Sequence, residues 1–158
     1  MVLDARVRCT CIRDGRAKPH PFPDRLIFDE IGDPMLSGDP SEKDLTIHDK
    51  WFVESCEHGG FLVATFLGNI GFVGRLRELV RHLQGDPAPR FPVLLKQVIY
   101  DGTHTGDSIS SERARELLNE VDTILHSRDI LSETEQGFFS NVRSLSMASI
   151  ETGYPIVF

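Results

Sequence analysis

Glycines and prolines cut this chain into short segments, and the order in which strand-like and helix-like segments follow one another restricts the fold more than any single motif. From Met1 to Arg13 apolar and polar side chains alternate: Leu3, Ala5, Val7, Cys9 and Cys11 share one face, and Asp4, Arg6, Arg8 and Thr10 the other. A period of two predicts a half-buried strand. The segment from Gly15 to Pro23 carries prolines at 19, 21 and 23, which forbid helix and place it in a surface loop. Leu26 to Phe28 predicts a short strand, followed by turns at Gly32-Asp33-Pro34 and Ser37-Gly38-Asp39-Pro40. Ser41 and Asp44 then form a capping box with the shorter acid, opening a helix whose apolar side runs Leu45, His48, Phe52 and Cys56, with Trp51 beside it. Gly59-Gly60 stops it.

Phe61 to Phe66 is rich in β-formers and predicts a strand, and Gly68-Asn69 turns the chain into a helix with Ile70, Val73, Leu76, Val80 and Leu83 at helical spacing. Gly85 terminates that helix, and a Pro87/Pro89 loop leads to Phe91–Tyr100, which reads as a core strand or the start of a helical turn. Ser110 or Ser111 caps a helix carrying Leu117, Leu118, Val121, Ile124 and Leu125; a last helix covers 133–151 and stops at Gly153 and Pro155. The apolar tail from Tyr154 to Phe158 is expected to dock. The order β, β, α, β, α, β, α, α, tail does not alternate as a doubly wound sheet does. It predicts one α+β domain over 1–158, with a mixed or antiparallel sheet and about four helices. At 158 residues one full core is affordable.

Charge narrows the function. With 17 Lys and Arg against 24 Asp and Glu the net charge is −7, which repels phosphate backbones, disfavours nucleic acid and attracts a basic partner. No apolar run is long enough to span a bilayer, and the first residues lack the apolar stretch of a secretory signal. Three cysteines, an odd number without a disulfide-like framework, fit a reducing compartment, so a cytoplasmic location is expected.

All three cysteines and two of the six histidines fall in short polar clusters: Cys9-Thr10-Cys11, Cys56-Glu57-His58 and the loop Gly102-Thr103-His104-Thr105-Gly106-Asp107. Cys9, Cys11, Cys56 and His58 offer the ligand types that zinc prefers, but the C-x-C and C-x-H spacings are shorter than those of usual zinc knuckles. The competing reading is that Cys9 and Cys11 continue the apolar face of the first strand. Nucleophilic catalysis by Cys56 is disfavoured, because a thiol in the last turn of a helix meets the negative end of the dipole.

In the third cluster, Thr103, His104, Thr105 and Asp107 supply hydroxyl, imidazole and carboxylate within one glycine-flanked loop that leads into a helix. Backbone amides there suit an anion, with His104 as proton donor. The alternative is that Asp107 and Ser108 satisfy backbone donors ahead of the helix. P-loop, dinucleotide, nucleophile-elbow and calcium-loop patterns are absent.

Taken together, Cys9-Thr-Cys11, Cys56-Glu-His58, Leu67-Gly-Asn-Ile70, the Gly102 to Asp107 loop and the ending Ala148 to Phe158 resemble a group of small uncharacterised bacterial proteins. Proteins of this size and style look like the immunity proteins of polymorphic toxin and secretion systems. The resemblance implies a cofactor-free cytoplasmic protein that neutralises a basic toxin by direct binding, with Asp29, Glu30, Asp33 and Trp51, and with them Phe22, as contact residues. A second class stays open: a small enzyme using His104 and Asp107, or a zinc-dependent one, on a small polar substrate.

Overall fold

Alternation at the N-terminus does build a strand, but a shorter one than the pattern suggests, because backbone pairing ends before the cysteines. The elements run β1 (Val2–Arg8), β2 (Leu26–Phe28), β3 (Pro34–Leu36), α1 (Glu42–Glu54), β4 (Phe61–Asn69), α2 (Ile70–Gln84), β5 (Ser108–Ile109), α3 (Ser111–Leu125), α4 (Glu133–Thr152) and β6 (Ile156–Val157). This computed structural model describes residues 2–85, 90–104 and 106–158; Met1, the Pro87/Pro89 loop and Thr105 lie outside them. The architecture is α+β, with a four-stranded antiparallel sheet in the order β4-β1-β6-β5 and a two-stranded sheet of β2 and β3. The chain divides into two compact units: the N-terminal residues to Val7 together with Val63–Phe158, and Arg8–Leu62. No helix among the described residues is long and apolar enough to cross a membrane.

In the larger unit Leu3, Ala5 and Val7 bury one face of β1, while α3 and α4 pack on each other. Leu117, Val121 and Ile124 of α3, with Phe139, Val142 and Leu145 of α4, are almost wholly buried. Each such side chain contributes roughly 1.5–3 kcal/mol of burial free energy. Ser110 Oγ accepts from the Arg113 amide to start α3, and Ser132 with Glu135 forms a reciprocal capping box at the start of α4. The tail docks as a central strand: β6 lies between β1 and β5, with Arg6 opposite Val157 and Ile109 opposite Ile156.

Phe91–Tyr100 is not a core strand. Leu94–Val98 forms a π-helical turn, and the reason lies in α3, where the buried Glu120 carboxylate accepts the Val93 amide at 2.9 Å and the Leu94 amide at 2.8 Å. Two amides that a sheet neighbour would otherwise satisfy are thereby paired in helical geometry. Burial pushes the Glu120 carboxyl up, against the pull of those two amides.

In the Arg8–Leu62 unit the expected Ser41/Asp44 capping box is present at the start of α1. Pro34, read as the end of a turn, instead opens the strand Pro34–Leu36, which pairs with Leu26–Phe28 as a hairpin in which Ile27 stands opposite Met35. Asp29 Oδ1 holds its turn by accepting the amides of Ile31 and Asp33 at 3.0 and 2.7 Å.

Candidate metal centre

The first strand releases the chain at Arg8, and the Cys9 amide donates to the Gly60 carbonyl at 3.2 Å, bringing the first cluster against the second. Cys11 is fixed in the following turn, where its carbonyl accepts the amides of Arg16 and Ala17. Cys9 and Cys11 are therefore both buried from a turn and not from one face of a continuing strand. On the other side α1 ends at Glu54, and Cys56 to Gly60 form tight turns in which the Gly59 amide meets the Cys56 carbonyl and the Phe61 amide the His58 carbonyl. Gly60 has φ +88°, and a Cβ there would stand 2.1 Å from the Phe52 ring, so no larger residue fits.

These turns gather four ligating atoms from segments 47 residues apart. Cys9 Sγ lies 3.7 Å from Cys56 Sγ and Cys11 Sγ lies 3.2 Å from His58 Nδ1, and all four atoms fall within 4.8 Å of one another. Zn–S and Zn–N bonds of about 2.3 and 2.0–2.1 Å make tetrahedral edges of about 3.8 Å between sulfurs and about 3.6 Å between sulfur and nitrogen. The two spacings of 3.7 and 3.2 Å lie within a few tenths of an ångström of those edges. The cluster could hold a metal ion, and it is the one such group among the described residues.

Electrostatics fit the same purpose. Burial alone would raise the Cys56 thiol, but the Gly60 and His58 amides and the Cys9 and Cys11 thiols turned toward it bring it down to about 7. The helix-end argument against a low-pKa Cys56 thus fails, because Cys56 lies beyond the helix, in turns whose amides face the sulfur. Cys11 is pushed up to about 12 by burial and by its two sulfur neighbours. Cys11 and Cys56, pushed in opposite directions, do not ionise together in the free protein, and a cation would let them do so. The other ring nitrogen of His58 faces Glu57 Oε1 at 3.9 Å, on the side where a ligating histidine commonly finds its carboxylate.

Around the cluster the sequence pattern hid two polar devices. Arg8, on the polar face by alternation, is buried: it pairs with Asp33 and lies over the Phe52 ring at 4.6 Å and the Phe61 ring at 5.4 Å. His20 and His48 are buried too. The Phe22 amide donates to His20 Nδ1, so His20 Nε2 carries the proton given to His48 Nδ1 at 3.0 Å, and His48 Nε2 donates to the Pro34 carbonyl at 3.1 Å. Trp51 is buried edge-on against His20, with its indole N–H on the Lys18 carbonyl. Of the expected contact residues, Asp29 and Asp33 serve the hairpin turn, Trp51 is in the interior, and Glu30 stands exposed. Phe22 is half-buried. The only sequence signal for Arg8 was its place directly before Cys9.

The 101–107 loop belongs to the larger unit. Asp107 does not form a dyad with His104: Asp107 Oδ2 and the Thr103 carbonyl both lie 2.5 Å from the Tyr100 hydroxyl. The Asp107 amide donates to the His104 carbonyl and the Gly106 amide to that of Phe158, so these amides are not held out for an anion. Ser110, and not Asp107 or Ser108, caps the helix. Comparison of the chain with protein-family models, curated proteins and solved structures returned no match.

Proposed function

We propose that the Arg8–Leu62 unit is a zinc-braced binding module. Cys9, Cys11 and Cys56 as thiolates and His58 through Nδ1 would hold the ion. The observation that carries this reading is the gathering of four soft and borderline donors within 4.8 Å from two turns far apart in the chain. Zinc would neutralise the thiolates and tie those turns together. Four protein ligands leave no open position for substrate, which is the arrangement of a brace and not of a hydrolytic centre. Purified, untagged protein should contain about one equivalent of zinc, lost in the Cys56→Ala variant; metal-free wild-type protein with three reactive thiols would overturn the reading.

The partner we infer is a basic protein, in the manner of an immunity protein that covers a toxin in the cytoplasm. The net charge of −7 supports this. So does the β2–β3 hairpin, where Ile27 and Met35 make an exposed cross-strand apolar pair and Phe28 is half exposed, beside Asp24, Asp29 and Glu30. Screening against basic toxin domains by gel filtration should give a complex that the Ile27→Asp variant loses. Absence of any complex, or one indifferent to that change, would contradict the hairpin as contact.

A further inference from the structure

The four clustered ligands contain a pair suited to a second chemistry. Cys9 Sγ and Cys56 Sγ stand 3.7 Å apart, within reach of a thiol hydrogen bond. Cys11 Sγ faces His58 Nδ1 at 3.2 Å. The cluster thus sorts into a sulfur–sulfur pair and a sulfur–imidazole pair. Exposure is unequal as well: Cys9 and Cys11 are 6% and 2% exposed, while Cys56 is only half-buried, so a reagent from solvent meets Cys56 first.

The backbone keeps the pair together without any ion. The Cys9 amide donates to the Gly60 carbonyl at 3.2 Å, and the Lys18 amide donates to the Ser55 carbonyl at 2.8 Å. The segment that carries Cys9 is therefore tied to the chain on both sides of Cys56. Neither cysteine lies in a helix or a strand, since β1 ends at Arg8 and α1 at Glu54. A movement of roughly 1.7 Å brings the two sulfurs from 3.7 Å to a disulfide bond of about 2.05 Å. An accessible cysteine beside a second thiol is the arrangement in which a sulfenic acid, once formed, is captured as a disulfide.

We propose that Cys9 and Cys56 are a redox pair, which a hydroperoxide joins in a disulfide that takes two of the four ligands away from the metal. In the first step the Cys56 thiolate attacks the terminal oxygen of the peroxide; an S–O bond forms, the O–O bond breaks, and the leaving alkoxide or hydroxide takes a proton from water. In the second the Cys9 thiolate attacks Cys56 Sγ; the S–S bond forms, the S–O bond breaks, and hydroxide leaves. The two sulfurs together give up two electrons, and the peroxide is reduced to one alcohol and one water, or to two waters when it is hydrogen peroxide. Release of the ion rests on the zinc-braced reading: Cys11 and His58 alone are two ligands where a structural site uses four. The disulfide ties the same two turns as the ion, so one brace replaces the other and Cys11 is left as the single free thiol.

Hydrogen peroxide added to the purified, untagged full chain, with zinc measured beforehand, is the test. Peptide mapping after alkylation in denaturant should find Cys9 linked to Cys56 and Cys11 alkylated, so that reactive thiols fall from three to one. About one equivalent of zinc should be released, and taken up again after dithiothreitol. Cys11→Ser should still form the link. Cys9→Ser should not, and should let dimedone trap Cys56 as the sulfenic acid. No link, or a link through Cys11, would overturn the pair; if thiols and zinc are both unchanged, the pair falls and the brace stands. A chain isolated without zinc would remove the brace, and the presence or absence of the Cys9–Cys56 link in that metal-free chain still decides the pair. Mapping of the wild-type chain carries the test even if a variant fails to fold.

Discussion

The two units of this protein solve the same problem with different materials. The larger one is held by apolar faces: α3 and α4 bury Leu117, Val121, Ile124, Phe139, Val142 and Leu145, and a single buried carboxylate, Glu120, organises one turn. The Arg8–Leu62 unit has one α-helix, a single 3-10 turn and a two-stranded hairpin among its described residues, and its interior contains Arg8, His20, His48, Ser55 and two cysteines. A segment that short rarely supplies enough apolar burial to order itself, and polar pairs or a metal then take over the work of a core. The contrast teaches where each unit is vulnerable: the first to lost volume, the second to lost ligands and gained protons.

Chelation should separate them most strongly. Structural zinc contributes on the order of 10 kcal/mol in small domains, so stripping it should abolish hydrogen-exchange protection across α1 and the β2–β3 hairpin while α3 and α4 keep theirs. Uniform loss of protection, or none, would erase the distinction. In the larger unit Phe139→Ala should destabilise by about 4 kcal/mol through the cavity it leaves, with zinc content unchanged in thermal or denaturant melts of the surviving fold. Glu120→Ala should cost about 3 kcal/mol, because two buried amides lose their acceptor; a change below about 0.5 kcal/mol would contradict that account of the π-helical turn.

The smallest expected effect is a pH dependence in the Arg8–Leu62 unit. Burial, reinforced by the neighbouring His48, lowers the pKa of His20 from its ordinary 6.5. A histidine held neutral by the fold stabilises it fully above the unfolded pKa, and that contribution fades as pH falls below about 6.5 toward the folded value. Trp51, the single tryptophan, packs on His20 with centroids 4.3 Å apart and reports the loss directly. Its emission should move to the red as pH falls from about 7.5 to about 5, with zinc release followed in parallel to separate the histidine pair from ligand loss. Flat emission over that range would contradict a His20 held neutral by burial.

Much of the local structure was legible because its causes are local. Alternation at Leu3, Ala5 and Val7, the capping box at Ser41 and Asp44, and the stop at Gly153 each depend on residues within a few positions. What escaped depends on distant partners. Phe91–Tyr100 has the composition of a strand, and a carboxylate 26 residues or more away on α3 makes its turn helical. Met35 and Leu36 look like a link between two turns until Leu26–Phe28 pairs with Pro34–Leu36. The C-x-C and C-x-H spacings, too short for a usual zinc knuckle, become a ligand set only when two turns are brought together, since neither cluster has enough donors alone. Arg8 was misplaced for the opposite reason: strand periodicity puts it outside, and Asp33 and two aromatic rings draw it in.

Zinc-edge X-ray absorption on the purified, untagged protein tests the central claim most directly. A shell of three sulfurs at about 2.3 Å and one nitrogen at about 2.0–2.1 Å is the result expected for Cys9, Cys11, Cys56 and His58. A shell of nitrogen and oxygen alone, or a protein that carries no zinc, would contradict it.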